Sequence, residues 1–166
     1  YWRDWSSDVC SSDLRLRTWI ATDAEEIPFQ EWLVRRRAAD AVAGVRFEGV
    51  PGACPAPGVL AAIADADRVV LAPSNPFVSL DPILAVDGVR AAVAARRDDC
   101  VAVSPVIGGK AVKGPLVEML ASMGHRPDAV GVARYLADLA GAYVLDPEDA
   151  ALADEVEQRE IGRAHV

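Results

Sequence analysis

Lysine is nearly absent. Against fifteen arginines, the 166-residue chain has only Lys110 and Lys113, three positions apart in one loop. Its richness in Ala, Val, Arg and Asp is what a GC-rich genome produces. A lysine kept in such a chain marks a place where a compact, strongly hydrated ammonium is wanted. Cysteine is also scarce: Cys10, Cys54 and Cys100 lie far apart, without the paired spacing of a zinc site or the density of a disulfide framework. A reduced, cytoplasmic setting is the expectation, with Cys54 and Cys100 as packing residues. No apolar run approaches the roughly 20 residues that span a bilayer, so no membrane partner is expected. Positive charge is in deficit, with a formal net charge of -8, which argues against general binding to nucleic acid or anionic lipid. Neither GxGxxG nor GxxxxGK[ST] occurs, which removes the dinucleotide fingerprint and the Walker loop. There is no internal repeat and no low-complexity segment.

The two ends of the chain are related to each other. The stretch from Asp8 to Asp13 can be written in codons as GAC GTG TGC TCT TCC GAT. Its reverse complement, ATC GGA AGA GCA CAC GTC, encodes Ile161 to Val166. One DNA adapter read from opposite strands explains this, so residues 1–14 and 160–166 read as adapter translation. Residues 15–159 are then the native part, cut from a longer protein on both sides.

Within it, apolar runs alternate with helical patterns. Strands are expected at Leu16–Ala21, Val45–Phe47, Arg68–Ala72, Cys100–Val103 and Ala142–Leu145. Helices are expected from Pro57 to Asp65, at Asp81-Pro82, from Asp87 to Arg97, from Gly114-Pro115 to Gly124, within Pro127–Gly141, and from Pro147 onward. The segment Pro28–Ala39 is ambiguous, with Phe29, Trp32 and Leu33 at helical spacing and the basic run Arg35 to Arg37 at a helix end. The alternation predicts an α/β fold, a mainly parallel sheet flanked by helices in a Rossmann-like three-layer arrangement, here incomplete.

Ligands of such sheets sit beyond the carboxyl ends of the strands. Two loops leave such ends, "APSNPFVSLDP" after the third strand and "VSPVIGGKAVKGP" after the fourth. The first offers Ser74, Asn75 and Ser79, stiffened by Pro73 and Pro76, with Asp81 expected to cap the helix that follows. The second offers Ser104, the Gly108-Gly109 pair for close backbone approach, Lys110, Lys113, and Gly114 before a helix start. Hydroxyls, amides, lysines and a helix start together describe an anion site, with phosphate as the anion. The plain alternative is two tight turns with exposed lysines. Asp146 and Asp149 are possible metal ligands but read more simply as acids at a helix N-terminus. His125 reads as a solvent-exposed residue after a helix, and Trp19, Trp32 and Tyr135 as core or interface.

These two loops, together with "FQEWLVRRR", "GVARYLADL" and "YVLDPEDA", strongly resemble the 2-phospho-L-lactate transferases, the CofD/FbiA family of coenzyme F-420 biosynthesis. The resemblance spans residues 15–159 and corresponds to the C-terminal portion of the family's chain. It implies transfer of a phospholactyl or phosphoenolpyruvyl group from a guanosine diphosphate-linked donor to the deazaflavin Fo, with GMP as leaving group and magnesium required. It implies a substrate-binding role for Ser74, Asn75, Pro76, Ser79, Ser104, Gly108, Gly109, Lys110, Lys113 and Gly114. Family members carry their catalytic and magnesium-binding aspartates in an N-terminal half that this chain lacks, so the chain by itself is expected to be inactive. The competing expectation is a non-catalytic nucleotide-binding regulator of the related gluconeogenesis-factor type, and a homodimer is possible for either.

Overall fold

The computed structural model describes residues 16–158 and 163–165. The segment 1–14 and most of 160–166, expected to be adapter translation, lie outside the described residues. Two sheets organise the chain. In the first, β1 (Arg17–Ala21) lies between β2 (Glu26–Pro28) and β3 (Gly44–Glu48), both antiparallel to it. Ile20 stands opposite both Ile27 and Val45. Ile20 and Ile27 are buried and Val45 packs partly against them, which fixes the inward face. The outward face is polar. The Arg46 guanidinium lies 5.5 Å from the centre of the Trp19 ring and pairs with Glu26 at 2.9 Å, while the Trp19 indole donates to Glu48.

The second sheet runs β4 (Val69–Leu71), β5 (Cys100–Val103), β8 (Ala142–Val144) and β9 (Arg163–His165), all parallel. Its outer strand, β9, falls in the terminal segment whose sequence reads as adapter. Helices α1 (Val59–Asp65), α2 (Asp81–Leu84), α3 (Val89–Ala94), α4 (Leu116–Ser122), α5 (Ala129–Tyr135) and α6 (Ala153–Gln158) supply the flanking layer. The apolar core joins Leu71, Cys100, Ala102 and Tyr143 of the sheet with Val89 and Val93 of α3, Leu116 and Leu120 of α4, and Val130 and Val132 of α5. This is the expected α/β architecture with a parallel sheet flanked by helices. The antiparallel sheet was not anticipated, because β2 has only three residues and ends on a proline.

Two further differences have local causes. Neither "FQEWL" nor "PFVSL" forms a regular helix. Glu31–Arg35 and Pro76–Leu80 are wide π-type turns, closed by amides that reach back five residues: Arg36 to Glu31 at 3.0 Å, and Leu80 to Asn75 at 3.3 Å. A helical spacing of apolar residues does not distinguish the two ring sizes. Between β5 and α4, β6 (Val106–Ile107) and β7 (Lys110–Ala111) form a small hairpin whose two-residue turn is Gly108-Gly109.

The start of α5 is tightly packed. Asp128 caps it, accepting from the Gly131 amide at 3.0 Å, and Arg126 joins both Asp128 and Glu155 of α6. A Cβ on Gly131 would fall 1.8 Å from the Arg126 carbonyl oxygen, which is backbone and cannot swing aside. Gly131→Ala is therefore expected to cost at least about 3 kcal/mol, the upper end of overpacking penalties, read as a shift in the urea midpoint. A loss under about 0.5 kcal/mol, the size of an ordinary surface change, would mean that the α5 start is free to move off Arg126.

Candidate functional site

The β4–α2 loop and the β7–α4 loop meet. They enclose a cavity of about 290 Å³ at the carboxyl end of the parallel sheet, closed on a third side by the first π-turn. Ser74, Asn75 and Ser79 come from the first loop, and Lys113 and Gly114 from the second. These five of the ten residues singled out from the sequence line one space.

Asn75 builds its share of the wall. Its side-chain oxygen accepts the Phe77 amide at 3.0 Å, and its carbonyl oxygen accepts the Ser79 and Leu80 amides. Its side-chain nitrogen faces the Met119 sulfur at 3.3 Å. Pro76, the first residue of the turn, has no amide to satisfy and is buried. Asp81 is not the cap expected of it: it is the first residue of α2, whose N-cap position, Leu80, makes no side-chain bond, and Asn75 caps the π-turn before it. Asp81 is engaged elsewhere: its carboxylate accepts the Tyr135 hydroxyl at 2.5 Å and lies 3.9 Å from Arg90. Tyr135 in turn packs edge-on to Phe77 and to His125. His125 is therefore half-buried in an aromatic cluster and not the solvent-exposed residue expected.

The other five residues lie outside the cavity. Pro76 is the buried residue just described. Ser104 is buried, with its hydroxyl committed to both the carbonyl and the amide of Val106. Gly108 and Gly109 form the hairpin turn, and Lys110 begins β7. That turn faces acid: the Gly108 amide donates to the buried Asp149 at 3.1 Å, and a Cβ on Gly108 would fall 2.6 Å from a Glu148 carboxylate oxygen. Asp146 accepts the Glu148 amide and caps the following 3₁₀ turn. Both aspartates considered as metal ligands are thus turned onto backbone amides. Among the described residues no cluster of three or more His, Cys, Asp or Glu could hold a metal ion. The described residues do not fit a magnesium site.

What the sequence reading missed is the apolar wall. Phe29, Trp32 and Leu33 come from the first π-turn, and Val78, Val112 and Met119 complete the surface. Trp32 is 1% exposed, and its indole donates to the Asp40 carbonyl at 3.0 Å, which fixes the ring plane. The aromatic pair at Phe29 and Trp32 was the available signal, since their ring centres lie only 6.1 Å apart. Lys113 is the one charged side chain among the described lining residues. A mainly apolar space with two serines and one lysine among its lining residues suits a ligand with a flat or apolar part and an anionic part.

The family described as 2-phospho-L-lactate transferase CofD matches residues 9–163. The 2-phospho-L-lactate transferase of Methanothermobacter thermautotrophicus is 40% identical over 139 residues, which cover 84% of this chain and 44% of that protein. The phosphoenolpyruvate transferase of Streptomyces griseus is 42% identical over 151 residues, 88% of this chain and 48% of that protein. The chain therefore spans about half the length of these curated relatives. Two crystal structures of a Bacillus halodurans protein of the UPF0052 family superpose with TM-scores of 0.55 and 0.54. They are 15% and 16% identical and cover 93% and 94% of this chain against 49% and 48% of theirs, a likeness of fold.

The Asp81–Tyr135 contact has a pH signature. Burial raises the Asp81 carboxyl above its ordinary 3.8, against the opposing pull of the Tyr135 hydroxyl and Arg90. An acid whose folded value is raised binds its proton more tightly in the folded state. Its contribution is complete below 3.8 and is lost as pH rises through the raised value. Asp81→Asn keeps an acceptor for Tyr135 and cannot ionise. Urea midpoints taken from pH 3.5 to pH 7 should show the unsubstituted chain losing stability relative to Asp81→Asn as pH rises. A difference that stays constant across that range would contradict the assignment.

Proposed function

We propose, because the chain belongs to the CofD family of 2-phospho-L-lactate transferases, that it is the nucleotide- and acceptor-gripping half of a transferase. The reaction proposed is transfer of a phospholactyl or phosphoenolpyruvyl group from a guanosine diphosphate-linked donor to a hydroxyl of the deazaflavin Fo, in coenzyme F-420 biosynthesis. The acceptor oxygen bonds to the phosphorus next to the three-carbon acid. The bond from that phosphorus to the bridging oxygen breaks, and GMP leaves with that oxygen while the acceptor gives up its proton. In such transfers the protein works chiefly by positioning and by offsetting charge.

The observation that carries this reading is the convergence of Ser74, Ser79 and Lys113 on one cavity that Phe29 and Trp32 also line. The hydroxyls and the ammonium supply donors for phosphate oxygens. The aromatic wall suits a flat ring system such as a deazaflavin. Magnesium belongs to the proposal, with ligands contributed by the remainder of the full-length protein. The curated relatives at 40–42% identity are transferases, which favours this reading over the regulator.

Two measurements test this. Incubated with Fo and either donor, the complete protein should release GMP and form the phosphodiester product, and the 166-residue chain alone should form none. Nucleotide binding by the complete protein without GMP release would favour the regulator. Within the cavity, titration with inorganic pyrophosphate should weaken about tenfold for Lys113→Ala, the loss of one charge-assisted contact, and stay unchanged for Lys110→Ala. Equal losses would move the anion out to the hairpin turn.

A further inference from the structure

The β6–β7 hairpin is too short to hold itself. Its register is two pairs, Val106 with Ala111 and Ile107 with Lys110, closed by Gly108-Gly109. An isolated two-stranded ribbon is marginal in water, so this one must be fastened from outside. Its stem matters to the cavity. The Val112 amide donates to the Pro105 carbonyl at 2.9 Å beside the last pair, and both residues line the cavity. Lys113 follows directly. Among the described residues its ammonium has neither an ion pair nor a hydrogen bond, so its place is set by the backbone of the stem.

Tyrosine, tryptophan and cysteine aside, two buried residues carry polar or ionisable side chains among the described residues: Ser104 and Asp149. Both serve this hairpin. Ser104 holds its root. The Ser104 amide donates to the Val144 carbonyl at 2.9 Å, and its hydroxyl bonds both backbone groups of Val106. Asp149 holds the tip, through the Gly108 amide at 3.1 Å. A buried carboxylate ordinarily demands a cation. None pairs with Asp149 among the described residues, and the hydrogen bond its side chain makes is the one to the hairpin. Such a charge-assisted bond is about twice as strong as a neutral one. The tip is fitted to this contact: the φ of Gly108 is +54°, and a Cβ there would meet Glu148. An apolar residue at 149 would avoid burying charge but would leave the Gly108 amide unbonded and the tip unfastened.

We infer that Asp149 is a positioning residue for Lys113. By anchoring the hairpin tip it fixes the stem, and the stem fixes where the ammonium meets the cavity. The inference rests on the proposed reading of that cavity as the anion site.

Amide hydrogen exchange and pyrophosphate titration test it together. In the 166-residue chain, Asp149→Ala should speed exchange at the Gly108 and Val112 amides about tenfold, and Asp149→Asn, which keeps an oxygen for Gly108, should leave Val112 protected. In the complete protein, affinity for inorganic pyrophosphate should fall about tenfold in Asp149→Ala and recover in Asp149→Asn. Added to Lys113→Ala, Asp149→Ala should cause no further loss, because it acts through the lysine. A merely structural aspartate would lower affinity by the same factor in either background. Gly108→Ala lifts the exposed tip while keeping the carboxylate, so it gives the same reading should Asp149→Ala fail to fold. Its affinity loss should likewise vanish in the Lys113→Ala background. A Val112 amide still protected in Asp149→Ala, additive losses, or unchanged affinity in Gly108→Ala would overturn the inference and leave the anion site standing. An affinity indifferent to Lys113→Ala would sink both.

Discussion

The cavity depends on how the chain leaves β4. A strand that ends in a buried position must satisfy its next few amides without another strand to pair with. Here one residue does most of this. Asn75 bonds the Phe77 amide with its side chain and the Ser79 and Leu80 amides with its carbonyl, while Pro76 removes an amide from the count. The result is a turn one residue wider per ring than an α-helix. A regular helix starting at Pro76 would rotate Val78 and Ser79 to other bearings. The side chains that meet the cavity are thus set by a backbone constraint, and a cap of this kind is worth about 0.5–2 kcal/mol.

A second layer holds that turn from behind. Phe77 is buried against Tyr135 and His125, and Tyr135 fastens Asp81 just beyond the turn's last residue. Burial and the bond to Asp81 keep the Tyr135 hydroxyl protonated far above any physiological pH, so the donor is permanent. Arg90 pairs with Asp138 at 2.7 Å and lies near Asp81, which carries the network onto α3. The wall of the cavity is therefore coupled to the helix layer through side chains that do not line it. On the sheet's covered side, burial raises the Cys100 thiol to about 11, which makes it an inert packing residue as its spacing suggested.

Sequence carried the parallel strands well, because "RVVLA", "CVAVS" and "AYVL" are apolar runs bounded by turn residues. It carried the meeting of the two loops, because strands joined by a single helical connection tend to be neighbours. It did not carry the π-turns, since Phe29, Trp32 and Leu33 fit a helix equally well. Nor did it separate the two lysines. "VIGGKA" contains a Gly-Gly pair between short apolar stretches, which is a hairpin signal, and the glycines serve a tight turn against Asp149. Reading that pair as an anion cradle gave weight to Lys110, whereas the fold brings only Lys113 to the cavity. The apolar wall escaped notice because aromatic residues are more often core, and Trp32 is both: buried, and at the cavity's edge.

Charge and topology lead to the same conclusion. A diphosphate carries several negative charges, and a site that binds one in a partly apolar setting must offset most of them. The described cavity offers one ammonium, hydroxyls and a few amides, while the nearest glycine-rich turn is occupied by Asp149 and Glu148. That is too little positive charge for the proposed donor. Among the described residues, meanwhile, the sheet is covered on one face, and β4, the strand whose loop carries Ser74 and Ser79, pairs on one edge only. Strands added there would place their own carboxyl-end loops beside this one, at the point where the strand order reverses. The proposed donor thus calls for more positive charge than these two loops supply, and the open side of β4 is where neighbouring loops could add it.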